Sequence, residues 1–319
     1  MSKSEYRCGI SILTAVFLSA LAGCASPAGG TAIPAETSAP EPTSTEAASA
    51  WTPVGEAVTP VNIRMAAFLN SSVGVIGGAN TEGIARTTSD GGKTWVPSSA
   101  SSACLFGLDI LDEQTVWECN ASDIRVSVDG GATFSDQIRG SGSPGCKISG
   151  VDAKTAFAVQ PGRFSVTHDG GMTREMLALP ADLTSREVAA ISFRSATEGY
   201  LLDGSGTLHA TTDGGKTWAA MPSPDMSPYG EMKVTASEGI PYAAIRFLDA
   251  DNGLMVLSLI GGGASRVVAL RTSDGGKTWT EQVIETKIGI PYLSPDGRFL
   301  TIAPMMDSMK VLILEDTGG

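Results

Sequence analysis

Five aspartates stand in one recurring setting. "TSDGGKTW" occurs at residues 88–95 and again at 272–279, and "TTDGGKTW" at 211–218. Looser copies read "SVDGGATF" at 127–134 and "THDGGMTR" at 167–174. Asp90, Asp129, Asp169, Asp213 and Asp274 thus each sit between hydroxyl side chains and before a Gly-Gly pair. Two chemistries suit that setting. A carboxylate can act as a general acid or base when a second carboxylate faces it. A carboxylate can also accept the backbone N–H groups of its own tight turn, with glycine supplying the positive φ such a turn needs. The second reading explains every residue of the box, whereas the first explains only the Asp. The five aspartates are therefore expected to be structural. Elsewhere the chain is poor in chemistry. Its two histidines, His168 and His209, have no neighbours at ligand spacing, and no nucleophile elbow, phosphate loop or dinucleotide fingerprint occurs. No metal and no cofactor is expected.

The elements that must position the boxes follow from their spacing. The aspartates are 39, 40, 44 and 61 residues apart, a period that marks a repeat architecture. Upstream of each box lie three apolar runs separated by a polar turn and a loose Gly-rich loop. A further short run follows the closing aromatic residue. Four antiparallel strands per repeat describe a propeller blade, so the expectation is an all-β chain forming a single β-propeller. Trp95, Trp218 and Trp279 close three boxes as apolar plates for packing on the sheet. Phe134 and Arg174 replace them in the loose copies.

The pattern S/T-x-D-x-G-x-T-W resembles the Asp-box, or bacterial neuraminidase repeat. That repeat occurs in sialidases, sortilin-type receptors and the photosystem II assembly and stability factors. The resemblance covers residues 51–319 and implies a propeller whose boxes join the third and fourth strands of each blade, away from the working face. It does not by itself imply an activity. A sialidase would need three clamping arginines and a Tyr–Glu nucleophile pair. The early Arg-Ile-Pro motif of that family has no match here, since Arg64 is followed by Met65 and Ala66. The assembly factors bind polypeptides, which makes a binding or scaffold module for a protein or glycan partner the leading reading. A sialidase-like or other glycoside hydrolase is the alternative.

Five boxes are plain, and the chain ends in "EDTGG", with Asp316 lying 42 residues beyond Asp274. Trp51 supplies a box-closing aromatic at the other end. Six blades are expected, with the N-terminal segment completing the last one and removing the free sheet edge. A seventh blade would have to come from the 61-residue interval. Most of the excess there is "AAMPSPDMSPYGEMKVTASEGI" at 219–240. A loop of this length inside a compact domain is a binding candidate, through Met221, Met226, Tyr229 and Met232, on the face opposite the boxes.

Ahead of the propeller, Lys3 and Arg7 precede an apolar run ending in Leu21-Ala22-Gly23-Cys24. This resembles the lipobox of bacterial lipoproteins. It implies a signal peptide over residues 1–23 and lipidation of Cys24. Residues 25–50, rich in Pro, Ser, Thr and Ala, read as a tether that cannot bury a core. Such a chain belongs outside the cytoplasm, held to a membrane through its lipid alone. Net charge is −12, of which the first 50 residues carry −2. An acidic domain of −10 argues against nucleic acid as a partner. A monomer is expected. Three cysteines remain in the domain, and an oxidising compartment permits one bridge. Cys104 with Cys146 is favoured, as both enter innermost strands of neighbouring blades. Cys104 with Cys119, or three free thiols, are the other arrangements.

Overall fold

The computed structural model describes residues 51–78, 85–99, 105–120, 122–135, 145–234, 242–304 and 309–318. Cys24, the tether and Cys104 lie outside the described residues. The first strand, β1 (Trp51–Val58), stands apart from the blade that follows it. Blade 1 is β2 (Ile63–Phe68), β3 (Gly74–Gly78), β4 (Arg86–Thr88) and β5 (Val96–Pro97). Blade 2 is β6 (Gly107–Ile110), β7 (Val116–Cys119) and β8 (Ile124–Ser127) among the described residues. Blade 3 is β9 (Lys147–Gly150), β10 (Ala156–Gln160), β11 (Arg163–Thr167) and β12 (Glu175–Leu177). Blade 4 is β13 (Val188–Phe193), β14 (Gly199–Asp203), β15 (Leu208–Thr211) and β16 (Ala219–Met221). A 3-10 turn (Ser227–Tyr229) and β17 (Lys233–Val234) precede blade 5: β18 (Ala243–Phe247), β19 (Gly253–Gly261), β20 (Ala264–Thr272) and β21 (Thr280–Ile284). Blade 6 is β22 (Gly289–Leu293), β23 (Phe299–Pro304) and β24 (Lys310–Asp316), completed by β1. The chain is a six-bladed propeller of antiparallel sheets.

Burial explains the sequence pattern. The innermost strands β6, β9, β13 and β22 are buried at every residue. Both their faces pack against neighbouring blades, so no polar alternation survives in them. The outermost β5, β12 and β16 are largely exposed. The core is accordingly spread through the wedges between blades. One aromatic unit recurs in three of them. Phe68, Phe193 and Phe247 end innermost strands and meet Trp95, Trp218 and Trp279 edge-on, at 6.2, 6.1 and 6.4 Å between ring centres. Gly74, Gly199 and Gly253 open the next strand beneath those rings, where a Cβ would come within 2.6, 2.3 and 2.6 Å of ring carbons. Glycine is required there by close approach.

The ring closes through β1, which pairs antiparallel with β24 from Trp51 opposite Asp316 to Val58 opposite Lys310. Trp51 is buried, and its backbone N–H donates to Gln282 Oε1 of blade 5 at 2.8 Å. The Thr59 N–H donates to the Met309 carbonyl, and Trp95 Nε1 to the Val58 carbonyl. The register corrects one detail. Thr87 lies opposite Val96 in blade 1, which sets Trp95 opposite Thr88. Trp51 opposite Asp316 is the same relation, so Asp316 takes the place of the first box hydroxyl and not that of the box Asp. It forms an ion pair with Arg271 instead.

The expected Cys104–Cys146 bridge is replaced by one between Cys119 and Cys146, with Cα atoms 6.0 Å apart. Cys119 ends the second strand of blade 2 and its sulfur lies over Gly107, where a Cβ would come within 2.7 Å of it. That bare glycine lets the thiol pass the innermost strand and reach the entry of β9. The bridge therefore ties blade 2 to blade 3.

Candidate functional site: the axial channel

The boxes are built alike. In each, the first-position hydroxyl (Thr88, Ser127, Thr167, Thr211, Thr272) donates to the Asp Oδ1 at 2.7–2.9 Å. That hydroxyl oxygen in turn accepts the N–H of the second glycine at 2.7–2.9 Å. The seventh-position Thr gives its N–H to Oδ1 at 2.8–2.9 Å. Its hydroxyl goes to Oδ2 at 2.6–2.7 Å. The first glycine's N–H reaches a carbonyl in the turn joining strands one and two: Ser72, Gln114, Lys154, Thr197 or Asp251. The boxes therefore share one face of the ring with those turns. Chiefly because of the donated Thr hydroxyls, Asp90, Asp213 and Asp274 are lowered to about 2. Carboxylates held ionised with both oxygens engaged are turn anchors and have no proton to deliver.

The candidate contact residues of the 219–240 segment pack against the blades, Tyr229 fully and the three methionines in part, where a surface position is expected for all four. Tyr229 is buried, and its hydroxyl donates to Glu281 Oε2 at 2.8 Å. Burial, then that carboxylate, raises its pKa. Met226 covers Gly206, where a Cβ would lie 2.7 Å from it. Met221, Met226 and Met232 pack on the apolar cluster shared by blades 4 and 5. The physical reason is the wedge itself: a long connection with three methionines and a tyrosine fills it. Part of the backbone becomes a strand, as β17 pairs with Leu259 and Ile260 of β19. The 61-residue interval is thus one enlarged blade.

A hollow of about 830 Å³ lies between β1 and the first box. Its wall includes Trp95 and Asp90, which already serve ring closure and the box turn. The charged interior is elsewhere, where β2, β6, β9, β13, β18 and β22 meet around the axis. The penultimate residues of β6, β18 and β22 are Asp109, Arg246 and Tyr292. Arg246 Nη2 lies 3.1 Å from Asp109 Oδ1, although their blades stand opposite each other in the ring of six. The ion pair therefore crosses the channel. The Gly150 N–H donates to Asp109 Oδ2 at 2.8 Å, and Arg246 Nη2 also donates to the Leu293 carbonyl at 3.1 Å. Tyr292 accepts the Ile110 N–H at 3.0 Å, and its oxygen lies 2.8 Å from the Ile110 carbonyl and 3.2 Å from Asp109 Oδ1. Burial, then the Asp109 charge, holds the Tyr292 phenol well above its usual range. Against burial, Asp109 raises Arg246. The network plugs the box end of the channel.

Beyond the plug is a cavity of about 60 Å³ lined by Met65, Gly107, Lys147, Ala190 and Ala244 along with the plug residues. Lys147 opens β9, two residues before Ser149, so both point to one side at levels roughly 6.6 Å apart. It is 4% exposed. Burial alone lowers its pKa to about 8. None of these channel residues stands out as a motif. The only sequence signal is a single charge inside an apolar strand, as in "GCKISG", "GLDIL" and "AIRF". Arg64, weighed above as a sialidase residue, instead covers the Phe106 ring at 4.4 Å.

No family model matches the chain, and no curated protein matches it. Solved structures do. It is similar to "YCF48 bound to D1 peptide", at 17% identity over 84% of this chain and 95% of that one, with a TM-score of 0.45. YCF48 from Cyanidioschyzon merolae gives 18%, 84%, 98% and 0.45 in the same measures. An ancestral GH74 enzyme gives 15% identity over 82% of this chain but only 37% of its own, with a TM-score of 0.49. These likenesses concern fold alone, and the assignment made here rests on the strand pairing itself: the chain is a six-bladed β-propeller.

Proposed function

We propose that this chain is a lipid-anchored, extracytoplasmic binding module. Cys24 carries the lipid, residues 25–50 form the tether, and the propeller offers a protein or glycan partner the face opposite the boxes. The lipobox residues support the anchor. The Cys119–Cys146 bridge suits an oxidising compartment. The observation that carries the binding reading is the unlikeness of the two ends of the ring. The box end is occupied by turns bonded to one another, and the channel is plugged there. At the other end β19 and β20 run nine residues each, against five in β10 and β14. β18 covers β19 only from Gly253 to Leu257. The remaining four residues, with β17 beside them, make a ridge roughly 13 Å tall. A blade raised in this way beside a closed-bottomed channel is a shape for docking.

The test has two arms. Metabolic labelling with an alkyne fatty acid should mark wild type and spare Cys24→Ala; equal labelling removes the anchor from the proposal. Replacing residues 260–265 with Asn-Gly should give a folded protein whose hairpin is two residues lower on each strand. Crosslinked partners captured by wild type from membrane extract, or sugars bound on a glycan panel, should be lost. Retention of every partner by that variant shows that the ridge is not the docking site.

A further inference from the structure

We infer that the cavity beside Lys147 is a binding pocket for a carboxylate, held by Lys147 Nζ beside the Arg246 guanidinium. The plug makes no use of the lysine. Among the described residues the Lys147 side chain has no ion-pair or hydrogen-bond partner. Lys147 and Arg246 line the same cavity. The charges around it are Lys147, Arg246 and Asp109, with Tyr292 as the remaining titratable group. Asp109 is already engaged with the Arg246 Nη2, the Tyr292 hydroxyl and the Gly150 N–H. With Lys147 protonated the pocket carries a net positive charge inside an acidic protein. Of its other walls, Met65, Gly107, Ala190 and Ala244 supply no acceptor side chain, and the Ser149 hydroxyl oxygen already accepts the Phe193 N–H. A buried ammonium requires an acceptor.

Size and geometry narrow the class. About 60 Å³ is the liquid volume of roughly two waters, which admits a carboxylate group and little more. An ammonium beside a guanidinium on a separate strand suits a planar anion with two oxygens over a spherical ion. Glycine and alanine on three of the six innermost strands keep the space open where bulkier residues would fill it. The carboxylate could arrive as a small free acid or as the side chain of a partner seated on the proposed docking face. The second source rests on the binding reading given above, and the first does not.

The probes are formate, chloride at equal ionic strength, and a terminally blocked Gly-Ser peptide with one central glutamate. Full-length protein is labelled with [13C]lysine, and the Lys147 signal is identified by its absence from Lys147→Met. Formate should move that signal saturably and raise the melting temperature of wild type. Lys147→Met should lose at least ten-fold in the formate concentration needed for half the thermal shift. A formate response that persists in Lys147→Met, no response in wild type, or an equal response to chloride each overturns the carboxylate pocket. A response to formate but not to the peptide assigns the site to small free acids, and a response to both assigns it to a partner side chain. Partner capture through the ridge is measured separately, so failure of either proposal leaves the other readable.

Discussion

Replacing Lys147 with methionine should make the protein more stable at neutral pH. The side chain is buried among Met65, Gly107, Ala190 and Ala244, and desolvation lowers its pKa from 10.5 to about 8. Each unit corresponds to about 1.36 kcal/mol, so the protonated lysine costs the fold about 3 kcal/mol. The sign follows from the direction. With the folded pKa below the unfolded one, the cost is fully present below pH 8, shrinks as pH rises, and is gone above 10.5. Methionine keeps the unbranched stem and drops the charge. For a chain of this size about 3 kcal/mol corresponds to roughly 6 °C in Tm. Calorimetry of wild type and Lys147→Met in carboxylate-free buffers at pH 7, 9 and 10.5 reads the difference directly. It should be greatest at pH 7 and near zero at the highest pH. A methionine variant that melts lower at pH 7, or a gap that ignores pH, refutes the claim that an uncompensated ammonium lies in the channel.

Four further outcomes follow from the same structure. A chain begun at Ala25, denatured without reductant, should show one reactive thiol, that of Cys104; three would remove the Cys119–Cys146 bridge. Reducing that bridge, which spans 27 positions, should lower stability by about 3.5 kcal/mol by the chain-entropy relation. Asp213→Ala should melt below wild type at pH 7, because the Asp213 carboxylate is held near 2 by its turn. That stability is present above the ordinary pKa of 3.8 and disappears as pH falls toward 2, so the two melting curves should converge in acid. Deleting residues 51–62 removes β1 and bares the edge of β24, which should abolish cooperative unfolding, while deleting 26–49 should leave Tm unchanged.

What could be read from the chain was whatever the repeat dictates locally. A box encodes its own turn through residues within eight positions of one another, so five copies announced five blades. Trp51 and the C-terminal run announced the sixth. Asp316 was placed two residues out because the strand register, and not the local letters, decides which residue stands opposite Trp51. The bridge was misread for a related reason. Cys119 reaches Cys146 only because Gly107 leaves the innermost strand bare between them, and that depends on three strands at once. Met226 and Tyr229 show the limit of composition. Residues suited to a contact surface suit equally a wedge between blades, and only packing decides. The channel lay furthest from view. Asp109, Lys147, Arg246 and Tyr292 come from four blades and share no spacing; Asp109, Arg246 and Tyr292 meet because ring closure brings the same depth of three innermost strands to the axis, and Lys147 stands two residues away along a fourth. A propeller thus hides its interior chemistry from its repeat. The positions that repeat build the walls, and the positions that break the repeat, one charge per apolar strand, are where a ligand has something to hold.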